Sequence, residues 1–508
     1  MLHTLPMPRP GEPVTRRLLS PLFLLTELCR AIAIVALADL AVRSAILLDP
    51  FGYDSFFYHL PYAAVRGGLS IPYEMNDTVR AQFDAFPPLP ELVQGVLWRI
   101  TGSVNATGVV NFLAFGAFLL YAHKVFRAPF WLVGLISLTA PLVLIHTSVD
   151  YVDLFGNAWL AIGVSSILFA YLFPEQRSRT LVIGGLAGLT LAAWTKYTLV
   201  PVVIVGFVVL AVMVVRSTAS WRVSRRQAAA VILVFAVLAS APYVKNLAVY
   251  GNPFWPLRVP FVGSLLPYEV DPLAAQEGNP LGRPPQLKDA PQLQVFVESL
   301  FETRNPLRYP DRPRWILDQF QWPPATAHRM GGFWGLGTAI FLVLSATMLI
   351  AYRRREGIIA SLSGLALLCF VGTLPQSNEL RYFMFIPLTW AAAIGMAFPW
   401  LRIRFPRAAA GVLLLVLVLF GYIVSETWQY YQLAAIDNRA AATVWGADKF
   451  WPLMKPGETY CAVHMYPLGF LLTGPTLKEF SIVDRSKASL CPPGTIIITK
   501  EGIQGPAG

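Results

Sequence analysis

The sequence predicts an all-α polytopic membrane protein with about 11 transmembrane helices, amphipathic helices in its first outer loop, and a small α/β extracytoplasmic appendage at its C-terminus. Three observations lead there. Of 508 residues, 55% are hydrophobic and only 14% are charged, far from the mixture of a soluble domain. The apolar residues gather into windows near the ~20 residues a helix needs to cross a hydrocarbon core with its backbone bonded internally. The basic residues behind the net charge of +11 fall in short loops between those windows, which is a signal of topology and argues against a nucleic-acid patch.

The first window, 28–48, follows Arg16 and Arg17 and lacks a small-residue cleavage site near its end, so it reads as a retained helix and not a cleaved signal peptide. Arg30, Asp39 and Arg43 within it should face the bundle or sit near its ends, because charge against lipid is costly. The others are 107–122, 130–147, 153–173, 180–194, 198–215, 228–247, 332–351, 358–374, 382–400 and 408–424. With a cytoplasmic N-terminus, the inside connections hold Lys124 and Arg127, then Arg177 and Arg179, then Arg216, Arg222, Arg225 and Arg226, then Arg353 to Arg355, then Arg402, Arg404 and Arg407. Every inside loop is then basic, and an odd helix count leaves the C-terminus outside the cytoplasmic (inner) membrane. Two units result: a transmembrane domain, 1–424, with outer loops 49–107 and 248–330, and a small extracytoplasmic domain, 425–508.

In the first outer loop, 55–66 and 89–100 carry apolar residues at helical spacing among Arg66, Glu91 and Arg99, as interfacial helices do. The long second loop is Pro-rich ("YGNPFWPLRVP", "RNPLRYPDRPRW"), which predicts irregular extended chain with a short helix near 293–301, the composition of a lid. The tail mixes a helical stretch, 439–450, with strand-like runs "TYCAVHM" and "GTIIITK". Four cysteines show no CxxC pair. Cys29 and Cys369 lie in apolar segments, whereas Cys461 and Cys491 each border a strand-like run in an oxidising compartment and are expected to pair.

Ionisable residues gather at the outer membrane face: Asp54 in "FGYDSFFYHLPYAA", Asp150 and Asp153 in "HTSVDYVDLFGNAW", Lys196 in "AAWTKYTLVP" and Arg381 in "NELRYFMFIP". Carboxylates and cations at one depth suit a reaction in which an acid residue activates an acceptor while bases hold an anionic leaving group such as a lipid phosphate. Plainer roles stay open. Asp54 and Asp153 have the placement of helix N-caps, and Lys196 and Arg381 that of snorkelling side chains at helix ends. His59 and His146 lack H-x-x-H or H-E-x-x-H spacing, so a structural role is favoured over metal ligation.

The ordered motifs "DSFFYHLPYAA", "DAFPPLPELVQGVLWRITG", "YVDL", "TKYTLVPVV", "PYVKNLAVYGNPFWP" and "LRYFMFIPL" resemble the GT-C superfamily of membrane glycosyltransferases over residues 25–400. The nearest branch is that of protein-mannosyltransferase-like and aminoarabinose-transferase-like enzymes. The resemblance implies an inverting transferase that takes a sugar from a polyprenyl-phosphate-linked donor. Asp54 matches the catalytic first-loop acid, Asp153 and then Asp150 a second acidic site, and Lys196, Arg381 and Lys245 the cations near the donor phosphate. Tyr58, His59, Arg304 and Arg308 complete the candidate substrate-binding set. Two departures stand out: many relatives carry two adjacent acids where Asp54 is followed by Ser55, and Lys245-Asn246 replaces the usual Arg-Asn before "GNP".

A divalent metal is compatible with paired acids, and no other cofactor is implied. The expected partners are the lipid-linked donor, a lipid, glycan or protein acceptor, and membrane lipid, with no nucleic acid. The rival readings are a polytopic transporter or flippase, against which stand the absence of an internal repeat and the clustering of charge at one face, and a polysaccharide ligase or polymerase handling lipid-linked glycans.

Overall fold

The computed structural model describes residues 21–49, 52–216, 224–259, 265–271, 284–303, 314–317, 319–322, 326–432, 437–465 and 468–506. Among these, nine helices are long and apolar enough to cross a membrane: Pro21–Ile46, Val104–Lys124, Asp153–Leu172, Tyr197–Arg216, Arg226–Tyr250, Gly335–Tyr352, Arg354–Gly372, Leu380–Arg404 and Pro406–Tyr431. The chain is a multi-pass membrane protein. The two other apolar windows are also helical but shorter. One is Arg179–Ala193. The second is split into Phe130–Leu138 and Pro141–His146, because Pro141 has no N–H to continue the ladder and holds Ala140 in the extended region at φ −87°, ψ 114°. A count of apolar windows cannot register such a break; among the described residues nine spans are of full length, and shorter helices stand at the places of the other two expected windows.

Asp153–Leu172 and Leu380–Arg404 form the centre of the bundle, with 72% and 78% of their spanning windows buried, against 17% for the peripheral Pro21–Ile46. The basic loops gather at one end of this core. Arg353 Nη2 lies 2.6 Å from Glu175 Oε1 and ties the turn after Leu172 to the turn before Arg354. The opposite end of the same two central helices carries Asp153 and Arg381.

At that end the first loop folds as a single turn of π-helix, Ser55–His59, running into the helix Leu60–Arg66, then the helices Asp77–Ala85 and Leu89–Thr101. Both amphipathic segments read from the sequence are helical. Leu92, Val96 and Ile100, four residues apart, leave an apolar stripe exposed on the last of them, as an interfacial helix requires. Its other face crosses Leu60–Arg66 so closely that a Cβ on Gly95 would stand 2.0 Å from the Ala63 carbonyl oxygen. Within the long loop, the helix Gln292–Phe301 matches the predicted one. The short strands β2 (Trp315–Ile316), β3 (Gln319–Trp322) and β4 (Thr326–His328) form an antiparallel sheet after it.

The last helix continues to Gln432, past the expected domain boundary at 424. The tail begins with the helix Asn438–Trp445 and holds β5 (Thr459–Val463), β6 (Ser481–Arg485), β7 (Ile496–Thr499) and β8 (Gly502–Pro506). A two-residue strand from the first loop, β1 (Tyr73–Glu74), completes this sheet in the order β1-β6-β5-β7-β8, parallel except for β7–β8. Loop and tail are therefore one structure. Asp484 accepts hydrogen bonds from Tyr73 Oη (3.0 Å) and Asn76 Nδ2 (3.2 Å), and Arg485 pairs with Glu74 at 2.5 Å. Cys461 and Cys491 form the expected disulfide, with a Cα–Cα distance of 5.8 Å.

Candidate functional site

Asp54 leads into the π-turn but does not cap it: its side chain makes no bond to the turn's N–H groups. The carboxylate instead receives Arg381 Nη1 at 3.0 Å, across 327 residues of chain. The backbone N–H of Asp54 donates to Tyr151 Oη at 3.0 Å, which fixes the start of the turn against the bundle. Isolated π-turns often mark functional positions. Burial alone would raise the Asp54 pKa, but Arg381, Arg329, His59 and Lys196 outweigh it and hold the group at about 2.

Asp153 is the first residue of its helix and likewise provides no cap; its Oδ1 accepts from Lys196 Nζ at 2.6 Å. That ammonium lies 4.6 Å from the centre of the Tyr382 ring. Arg381 stands in the 3₁₀ turn Leu380–Phe383, is 1% exposed, and also donates to Tyr382 Oη at 2.8 Å. Four of the residues singled out in the sequence therefore form one cluster: Asp54, Asp153, Lys196 and Arg381. Snorkelling does not describe the two cations, since both point into the protein.

Among the described residues, the other candidates make no ion pair with these four, although Tyr58 and His59 lie beside Asp54. Asp150 is buried beside Ser55 and Asp49 and away from the cations. Burial, aided by the Asp49 charge and opposed by the Ser55 hydroxyl, pushes its carboxyl up to about 7. Lys245 is exposed and donates to the Asp84 carbonyl, while Asn246 holds the Ala85 carbonyl at 2.8 Å. The pair clasps the first loop to the bundle and does not join the cluster. His146 Nε2 meets the Leu317 carbonyl oxygen at 2.5 Å, a structural contact. Arg304 and Arg308 lie outside the described residues. Tyr58 is half-buried within reach of the charges of Asp54, Arg381 and Asp153, and its ring centre lies 4.2 Å from that of His59 with the rings tilted by 46°. His59 turns its Nδ1 to Glu91 Oε1 at 3.1 Å, and Glu91 is held in turn by Arg66 at 3.0 Å. Burial opposes ionisation of Glu91, but the His59 bond and the Arg66 charge keep its pKa below the ordinary value.

Several residues of the site were not singled out beforehand. Arg329, from the end of the long loop, and Glu379, just before Arg381, add a third cation and a third acid; Glu379 lies 3.9 Å from Arg329 and 3.4 Å from Arg381. Asn157 braces the Arg381 turn: its Nδ2 donates to the carbonyls of Asp153 (2.8 Å) and Arg381 (3.3 Å), and its Oδ1 accepts from Phe385 N (2.9 Å). Asn111 does the same for the segment before Asp153, donating to the Val149 and Tyr151 carbonyls and accepting from Phe155 N. A polar amide inside an apolar span is the signal that marked both.

Among the described residues no group of three or more His, Cys, Asp or Glu side chains is placed to hold a metal ion. Asp54 and Asp153 each face a cation, so this donor set does not suit a divalent ion. Within the spans, an apolar cavity of about 420 Å³ is lined by Leu168, Val202, Leu349, Leu368, Phe385 and Trp390; its lining runs from Phe385 to Tyr171 near the basic end and includes none of the charged residues. Phe385 lies four residues beyond Arg381, about one helical turn.

No protein-family model matches the chain, and no curated relative matches it. Two solved structures are similar in fold. One is ArnT from Cupriavidus metallidurans bound to undecaprenyl phosphate, with a TM-score of 0.46 and 13% identity, covering 93% of this chain and 92% of that one. The second is ArnT from Cupriavidus metallidurans in the apo state, with a TM-score of 0.40, 14% identity and the same coverage of 93% and 92%.

Proposed function

We propose that the chain is an inverting glycosyltransferase that moves a sugar from a polyprenyl-phosphate-linked donor to a lipid, glycan or protein acceptor at the outer face of the cytoplasmic membrane. The observation that carries this reading is the position of the charged cluster. Lys196, Arg381 and Arg329 converge at one end of the bundle, and the lining of an apolar cavity within the spans begins at Phe385, about one helical turn beyond Arg381. A ligand with an anionic head and an isoprenoid tail fits both parts at once. The basic loops at the opposite end support a cytoplasmic N-terminus, and the tail's disulfide supports an extracytoplasmic C-terminus.

In the proposed step the acceptor oxygen attacks the anomeric carbon, and the bond from that carbon to the phosphate oxygen breaks. The electron pair stays on the phosphate, where Lys196 and Arg381 stabilise the departing charge. The acceptor's proton passes to Asp54. One displacement inverts the anomeric centre. At a pKa of about 2, Asp54 is ionised but a weak base. A phosphate that takes up the charge of Arg381 removes the main force holding that value down, so donor binding itself raises the basicity of Asp54. The charges cluster at one end and not at the midplane, which favours transfer over transport.

The test is mass analysis of the source cell's envelope with and without the gene, paired with transfer from lipid-linked sugar by the purified chain. The proposal predicts loss of one sugar modification and accumulation of its lipid-linked donor; an unchanged envelope and no transfer would contradict it.

A further inference from the structure

Glu379 is 2% exposed, and the transfer step has no use for it. It precedes the Arg381 turn without capping it. Its carboxylate stands between two guanidinium groups, 3.4 Å from Arg381 Nη2 and 3.9 Å from Arg329 Nη1. The neighbouring pairs are tighter: Asp153 to Lys196 at 2.6 Å and Asp54 to Arg381 at 3.0 Å. Charge-assisted bonds of this kind run at about 2.7–2.9 Å, so these two contacts with arginine are at the loose end of pairing.

Among the described residues the charges balance: Lys196, Arg329 and Arg381 face Asp54, Asp153 and Glu379, so this described set carries no surplus cation with which to attract an anion. A phosphate entering such a site adds an uncompensated negative charge where desolvation makes charge expensive, unless one carboxylate gives way. Asp153 is bound at 2.6 Å and Asp54 is needed for the proton, which leaves Glu379.

We propose that Glu379 is an internal stand-in for the donor phosphate: it keeps Arg329 and Arg381 facing each other in the empty site and yields both guanidinium groups when an isoprenoid phosphate arrives. The inference rests on the lipid-phosphate donor proposed above. It makes Glu379 a positioning residue that competes with the ligand. Removing its charge should therefore tighten binding, the opposite of what loss of a structural anchor would do.

The test is titration of the purified full-length chain in nanodiscs with farnesyl phosphate, an isoprenoid monophosphate, with inorganic phosphate as a second probe. Glu379→Gln keeps a carbonyl acceptor for the arginines and should bind farnesyl phosphate about tenfold more tightly than the wild-type chain, the effect of losing a buried competing charge. Arg329→Gln should bind it more weakly. Glu379→Asp, which withdraws the charge by one methylene, should fall between wild type and Glu379→Gln, and serves alone if the Gln variant does not fold. Equal or weaker binding by both Glu379 variants, with the wild type binding, overturns the inference and leaves the donor reading standing. No binding by the wild type overturns the donor reading itself. Tightening for inorganic phosphate alone would mark a free-anion site and contradict the lipid assignment.

Discussion

Asp54→Asn separates the roles open to this residue. A cap would survive it, since Asn caps a helix about as well as Asp, but the Asp54 side chain caps nothing here. Its pKa stands at about 2 against an ordinary 3.8, so pairing, chiefly with Arg381, outweighs burial by about 2 kcal/mol. A depressed folded-state pKa means that this stability is present above the unfolded value near pH 4 and is lost as pH falls toward 2. Asn should forfeit about that much at neutral pH while its amide oxygen still accepts from Arg381, so the variant should fold with modestly lower thermal stability. Activity should fall far more, about a hundredfold or greater, because an amide cannot take up the acceptor's proton. The assay is sugar transfer by variant protein that keeps the wild-type size-exclusion profile and binds farnesyl phosphate. A loss of activity no larger than the loss of folded protein would refute the role of Asp54 as base.

Lys196→Ala and Arg381→Ala should each weaken farnesyl phosphate binding by tenfold or more, with Arg381→Ala also less stable because it strands buried carboxylates; normal donor turnover by either would move the phosphate site elsewhere. Asn157→Leu should reduce transfer and lower thermal stability, since it strands the buried backbone groups at Asp153, Arg381 and Phe385 at about 1–3 kcal/mol for each group left unsatisfied; unchanged kinetics would remove Asn157 from the account. Replacing Cys461 and Cys491 with Ser should destabilise the tail by roughly 3–4 kcal/mol, the chain-entropy value for a loop of about 30 residues, and non-reduced wild-type protein should resist maleimide at both thiols. Burial pushes Asp484 up to about 6, so the tail should lose stability as pH rises from about 4 to 6, and Asp484→Asn should raise its melting temperature at pH 7; a lower one would show that the ionised form is favoured.

The apolar windows, the basic loops and the two interfacial segments were legible because each rests on local composition, and among the described residues they appear as helices or loops at the expected places; Arg222 lies outside the described residues. The break at Pro141 and the continuation of the last helix to Gln432 were not, since a hydropathy window averages over both. Asp54, Asp153, Lys196 and Arg381 were legible as charges out of place in lipid. Asp150 carries the same mark and points elsewhere, because side-chain direction at a helix entrance depends on packing that no spacing rule records. Arg329 lay hidden in a polar loop where a cation is ordinary, and Glu379 lay in a short turn where an acid is equally ordinary. The joining of β1 to the tail sheet spans about 400 residues, and two residues are too few to announce a strand.

The most direct measurement is a cryo-EM structure of the purified chain in nanodiscs with undecaprenyl phosphate. The account predicts phosphate density within hydrogen-bonding distance of Lys196 and Arg381, the isoprenoid in the cavity lined by Phe385 and Trp390, and Glu379 displaced from the two arginines. Phosphate bound at another end of the bundle, or beside Lys245 with the cluster unchanged, would contradict it.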